Sequence, residues 1–68
     1  MNSKLIDYEI DILHSLNGED VPGLMWGAAM GECIENLYGG GYVTREMTGR
    51  GLEYVITDKG RAELRARP

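Results

Sequence analysis

Residues 41–64 read GYVTREMTGRGLEYVITDKGRAEL, and the fold turns on how this stretch is divided. Tyr42 to Thr48 alternate between apolar and polar side chains, as do Leu52 to Ile56, with Gly49-Arg50-Gly51 between them; this is the pattern of a β-hairpin. A two-residue turn at Arg50-Gly51 sets Met47 opposite Tyr54 and Arg45 opposite Ile56. It also gathers Val43, Met47, Leu52, Tyr54 and Ile56 on one face, whereas a three-residue loop divides that apolar set between two faces. Thr57 then caps a helix from Asp58 to about Ala66, with Asp58 near its positive end and Arg65 near its negative end. Leu64 and Ala62 return to the core, and Arg61 and Arg65, four apart, share a solvated face.

Upstream, Gly39-Gly-Gly41 supplies the conformations that end a helix. That helix is expected to open at Asp20-Val-Pro-Gly23, since proline suits a first helical turn, and to run to about Tyr38. Trp26, Met30, Cys33, Ile34, Leu37 and Tyr38 then form one apolar side. Cys33 in its middle reads as a core residue. The opposite side carries Met25, Ala28, Glu32, Glu35 and Asn36, with no lysine or arginine. Gly27 and Gly31 each cost on the order of 1 kcal/mol relative to alanine inside a helix, which points to a close backbone approach. The expectation is a tight crossing with the first helix; the alternative is a partner chain docking on Met25, Ala28 and Gly31.

Asn2 or Ser3 is expected to cap the first helix, which runs to about Leu16 and stops at Asn17-Gly18. Leu5, Ile6, Ile10, Ile12, Leu13 and Leu16 form its apolar stripe, with Asp7, Asp11, His14 and Ser15 opposite. Glu9 falls inside the stripe. Glutamate is seldom fully buried, so the expectation is a wet edge at that point; the alternative is pairing with an arginine or with backbone N–H groups.

The chain has 68 residues, one cysteine and a net charge of −4. That length allows one domain with one small core, and self-association as a homodimer would add burial. At 43% hydrophobic and 26% charged residues, the composition is that of a folded chain. One cysteine permits no internal disulfide or cysteine-rich zinc site, and a reducing cytoplasm is expected. Val21 to Met30, the longest mostly apolar stretch, is broken by Pro22, Gly23 and Gly27 and is too short to span a bilayer; no membrane association is expected. Charge is unevenly placed. Residues 1–44 carry Lys4 against Asp7, Glu9, Asp11, Glu19, Asp20, Glu32 and Glu35, a sum of −6, while residues 45–68 sum to +2. Attraction to phosphate must come from the C-terminal third. With one histidine and one cysteine and no phosphate loop or helical metal pair, no catalytic residue, metal, cofactor or small-molecule substrate is expected.

The order helix, helix, glycine-rich break, hairpin, helix resembles the second half of a winged helix-turn-helix domain. In that family a phrase like LYGGGYVT leads into the wing and a Y-x-I/L-T-x-x-G-R-x-x-L phrase closes it. Tyr54, Ile56, Thr57, Gly60, Arg61 and Leu64 match the closing phrase, and the resemblance covers about residues 33–66. Only Asn17 to Gly23 stand where the family has a further helix, so the expected fold is a single α+β winged-helix-like domain over residues 1–68, truncated, with two N-terminal helices, a hairpin wing and a short C-terminal helix. The resemblance implies that residues 24–38 enter a major groove, yet of the base-reading residue types that segment offers only Asn36, beside Glu35 and Glu32. The expected function is therefore a non-enzymatic regulatory or inhibitory protein that binds another protein, or itself, through Met25, Ala28, Gly31, Glu32, Glu35 and Asn36. By analogy of size and charge, small phage and prophage products such as anti-CRISPR inhibitors are similar to it. The alternative is a DNA-binding transcriptional regulator using Asn36, Arg45, Arg50, Arg61 and Arg65.

Overall fold

The structure is a computed structural model that describes residues 5–24 and 27–66. Its elements are α1 (Asp7–Leu16), α2 (Ala28–Gly39), β1 (Val43–Thr48), β2 (Gly51–Ile56) and α3 (Asp58–Arg65), an α+β arrangement of three helices and one antiparallel hairpin. Each element supplies at least one side chain to a single core: Ile12 and Leu13 from α1, Met30, Cys33 and Leu37 from α2, Val43 and Ile56 from the strands, and Leu64 from α3. The strands bury side chains fully only at their base, with Tyr54 packed partly against the core. Val43 and Ile56 are buried partners, while Met47 and Leu52, paired nearer the tip, stand out in solvent.

Two corners lock this arrangement. At the end of α2, the Tyr42 N–H donates to the Leu37 carbonyl at 2.9 Å and the Gly41 N–H to the Tyr38 carbonyl at 3.1 Å, the paired bonds of a Schellman motif, with Gly41 at φ +84°. The joint between β2 and α3 is stitched onto that corner. Thr57 donates from its N–H to the Tyr42 carbonyl at 3.0 Å and from its hydroxyl to the Gly41 carbonyl at 2.7 Å. The same hydroxyl accepts the Gly60 N–H at 3.1 Å, capping α3. Gly60 is buried, and a Cβ there would stand 2.3 Å from the Tyr42 carbonyl oxygen. The closing phrase is thus a packing device.

The hairpin register differs from the expected one by a pair. Gly49-Arg50 form the turn, Met47 faces Leu52 and Arg45 faces Tyr54. The Thr48 hydroxyl accepts the Arg50 N–H and donates to the Gly51 carbonyl, which fixes the turn one residue earlier. Moving the turn by one residue keeps facing parity, so the apolar set still shares one face.

Both N-terminal helices begin later than expected. Asp20-Val-Pro-Gly23 opens no helix; the Leu24 N–H donates to the Val21 carbonyl at 3.2 Å with Gly23 at φ +86°, a type II turn with proline and glycine in their favoured places. The helix starts at Ala28 instead, after Gly27; Met25 and Trp26, placed in it from sequence, lie outside the described residues. Likewise α1 starts after Ile6, and the expected caps Asn2 and Ser3 lie outside the described residues. Ile6 is therefore exposed, at 55%, rather than part of a buried stripe, and Tyr38 is exposed at 41%. Ala62 is exposed too, α3 turning Gly60 and Leu64 inward.

Glu9 is buried, at 5% exposure, so the wet edge is not found. The carboxylate accepts the Ile6 N–H at 3.1 Å, satisfying an orphan donor of the first turn, and accepts from the Asn36 side-chain amide at 3.5 Å. Glu9→Ala is expected to lower stability by about 1–2 kcal/mol, as a lost N-terminal cap does, with Glu9→Gln retaining most of it; urea unfolding that finds Glu9→Ala as stable as the parent removes this account. The expected tight crossing at Gly27 and Gly31 is absent as well: a Cβ at either would meet nothing within 4 Å.

Candidate functional surface

The side of α2 turned away from the core is exposed at Ala28, Gly31, Glu32, Glu35 and Asn36, because Met30, Cys33 and Leu37 take the inward positions. These outward residues are not equivalent. Glu32 has no ion-pair or hydrogen-bond partner among the described residues. Asn36 is committed to Glu9 across the α1–α2 contact. Glu35 holds the hairpin: its Oε2 accepts from the Arg45 guanidinium at 2.9 Å and from the Tyr54 hydroxyl at 3.1 Å.

Arg45 lies between two aromatic rings. Its Cζ stands 4.2 Å from the Tyr38 ring centroid and 5.5 Å from that of Tyr54, a cation–π stack that a lysine would fill less well. Hydrogen bonding to Tyr54 foremost, then attraction to Tyr54 and Glu35, pushes the arginine pKa above its ordinary value. Neither Tyr38 nor Tyr54 is among the site residues expected from sequence; the hairpin register sets Tyr54 opposite Arg45, and the α2–β1 corner brings Tyr38 to the same guanidinium.

Two of the other three arginines proposed for nucleic acid are also tied to acids. Arg50 pairs with Glu53 at 3.2 Å. Arg61 pairs with Asp58 and reaches the Ile56 carbonyl at 3.4 Å. Arg65 is exposed and has no such partner among the described residues. Lys59, exposed, donates to the Gly40 carbonyl and lies over the Tyr42 ring. The five candidate bases and amides therefore do not converge on one patch: Asn36 pairs across to α1 and Arg45 across to α2, Arg50 sits at the hairpin tip, and Arg61 and Arg65 lie on α3.

Besides Arg45, two titratable groups have shifted values with clear causes. Burial, followed by the charges of Glu9 and Glu32, pushes the Cys33 thiol up, and a neutral buried thiol is a poor nucleophile. At the end of α1, Glu19 is held below the usual carboxylate range by the Asn17 amide first and then by His14, whose Nδ1 is 3.1 Å away. Among the described residues no three histidine, cysteine or acidic side chains are placed to share a metal ion, and no helix is long and apolar enough to cross a membrane. An open cleft of about 360 Å³ is lined by Tyr8, Asp11, Leu24 and the start of α2.

No family model, curated protein or solved structure matches the chain.

Proposed function

We propose that this chain is a non-enzymatic interaction module, a small regulatory or inhibitory protein that binds another protein through the acidic outer face of α2. The observation that carries this reading is the pairing of Arg45, Arg50 and Arg61 with Glu35, Glu53 and Asp58, beside a helix that has no basic residue of its own. Exposed pairs of this kind are worth only about 0–1 kcal/mol each, so swinging an arginine to a phosphate costs little in itself. The carboxylate left behind is the larger obstacle: it stays well within a screening length of about 8 Å at physiological salt, and it cancels much of the counterion-release gain that drives binding to DNA. Glu32, by contrast, has no partner among the described residues and is placed to meet a basic partner.

The helix–hairpin–helix order and the closing phrase at Thr57, Gly60 and Leu64 support a winged-helix-like domain, and the same scaffold serves protein binding as well as DNA binding. Fluorescence anisotropy with random duplex DNA at low salt separates the two. No binding is expected below about 10 µM, whereas nonspecific DNA binders bind at roughly 10⁻⁴ to 10⁻⁶ M even at physiological salt. Tighter binding that disappears on Arg45→Ala and Arg50→Ala establishes the wing as a DNA contact and reverses the ranking. On the protein side, a partner captured by the parent is expected to be lost on Glu32→Lys. That change is preferable to Glu35→Lys, which would also release Arg45 and Tyr54 from α2.

A further inference from the structure

One edge of the hairpin is left open by the fold. The Thr57 N–H bond to the Tyr42 carbonyl, at 3.0 Å, sets the phase of the antiparallel ladder. Thr44, Glu46 and Thr48 exchange backbone bonds with Val55, Glu53 and Gly51, and the residues between them turn their N–H and C=O groups away from the partner strand. On β2 those residues are Leu52, Tyr54 and Ile56, and that edge is closed at its base, where Arg61 donates to the Ile56 carbonyl. On β1 they are Arg45 and Met47, with Val43 buried below them. The backbone groups of Arg45 and Met47 have no hydrogen-bond partner among the described residues, and Thr44 to Met47 are all exposed. Glu35 bonds Arg45 on one strand and Tyr54 on the other, so α2 crosses the face of the hairpin and not this edge. Such an edge is ordinarily blunted by proline, a bulge or charged side chains. Here β1 has no proline, its register is unbroken, and its arginine is drawn off to Glu35.

An open strand edge accepts another extended segment, and charge decides which. Glu46 has no ion-pair partner among the described residues, and it stands directly across from Glu53, whose charge Arg50 offsets. Met47, 77% exposed, lies on the opposite face of the hairpin. A strand added beside β1 sets one residue next to each of them on the same face. A basic residue suits Glu46, and an apolar one suits Met47. A second copy of β1 does not supply them. Antiparallel pairing centred on Arg45 sets arginine against arginine, and pairing centred on Glu46 sets glutamate against glutamate, both unfavourable. A centre at Met47 runs Arg45 onto Gly49 of the turn, and a centre at Thr44 runs Met47 onto Gly41 of the corner.

We infer that the outer edge of β1 takes up an extended segment of a partner protein as a third strand, with a lysine or arginine beside Glu46 and an apolar side chain beside Met47. The inference goes beyond the protein-binding reading above, since it uses a surface separate from the acidic face of α2. Synthetic peptides alternating Val and Lys test it against the isotope-labelled chain by NMR and amide hydrogen exchange. The Val/Lys peptide is expected to bind saturably and to protect the Arg45 and Met47 amides, which exchange freely in the chain alone. Methylating the Val nitrogens, which point at β1 in this register, is expected to abolish binding, while methylating the Lys nitrogens, which point away, leaves it. Glu46→Lys, a surface change, weakens binding about tenfold, as an attractive cross-strand pair becomes a repulsive one; Glu32→Lys does not alter it. Binding indifferent to methylation of the Val nitrogens, protection at Leu52 and Tyr54 instead, or equal binding by a Val/Glu peptide overturns the inference. So does protection of Arg45 and Met47 that grows with the concentration of the chain alone, which makes the occupant a second copy. Absence of binding, or shifts confined to α2, overturns it while leaving the acidic-face reading standing. That reading fails separately if Glu32→Lys retains the captured partner.

Discussion

Gly60→Ala is expected to be among the most damaging single substitutions in this chain, costing about 3 kcal/mol or more. A helical alanine ordinarily gains up to about 1 kcal/mol over glycine, so the sign is set by tertiary contact alone. The new methyl would sit 2.3 Å from the Tyr42 carbonyl oxygen and 2.7 Å from Ile56 Cγ1. The isoleucine can rotate, but the carbonyl cannot retreat freely, because it accepts the Thr57 N–H at 3.0 Å. Moving α3 outward instead pulls Thr57 from the Gly41 carbonyl and Leu64 from the core. Thermal or urea unfolding of the variant reads this directly. A Gly60→Ala chain as stable as the parent means that α3 does not pack on the corner as described. Gly31→Ala is the matched control: its Cβ meets nothing, and the helical gain should appear.

Leu37→Ala comes next, with an expected loss of about 2–5 kcal/mol. Leu37 is fully buried, faces the core from α2, and its carbonyl accepts the Tyr42 N–H that turns the chain into β1. At roughly 0.05–0.15 kcal/mol per residue, a domain of 68 residues has about 3–10 kcal/mol in all, so the loss takes a large part of it. The expected signature is a cooperative melt shifted far down or lost, with loss of near-UV signal. A melt that moves by only a degree or two places Leu37 outside the core. If the parent's melting temperature rises with protein concentration, some of that stability comes from self-association.

Local chemistry made much of this architecture legible. The two-residue period of the hairpin, the threonine before Asp58 and the glycines after Tyr38 each act over a few residues, so their consequences are written beside them. The hairpin's apolar face was legible for the same reason, since a turn displaced by one residue preserves facing parity. The displacement itself came from the Thr48 hydroxyl, which holds Gly49-Arg50 as the turn where Arg50-Gly51 has equally suitable residues. At Pro22-Gly23 two local readings competed, a first helical turn and a type II turn. The left-handed conformation of Gly23 decided for the turn. The acidic outer side of α2 was visible from its period, but the state of each acid was not: Glu35 finds Arg45 and Tyr54 on a different element, and Asn36 finds Glu9 in another helix.

The sequence by itself determined the kind and order of the elements, the central residues of their inward sides and the polarity of the outer side of α2, because amphipathic period, capping and glycine punctuation are properties of neighbours along the chain. Only the tertiary structure decided that Glu9 is buried, that Gly60 rather than Gly31 is the point of closest approach, and that the hairpin's arginines are held by carboxylates. Those outcomes depend on distances between residues far apart in sequence, and such distances are set when the helices and hairpin close on one another around Leu13, Leu37 and Val43.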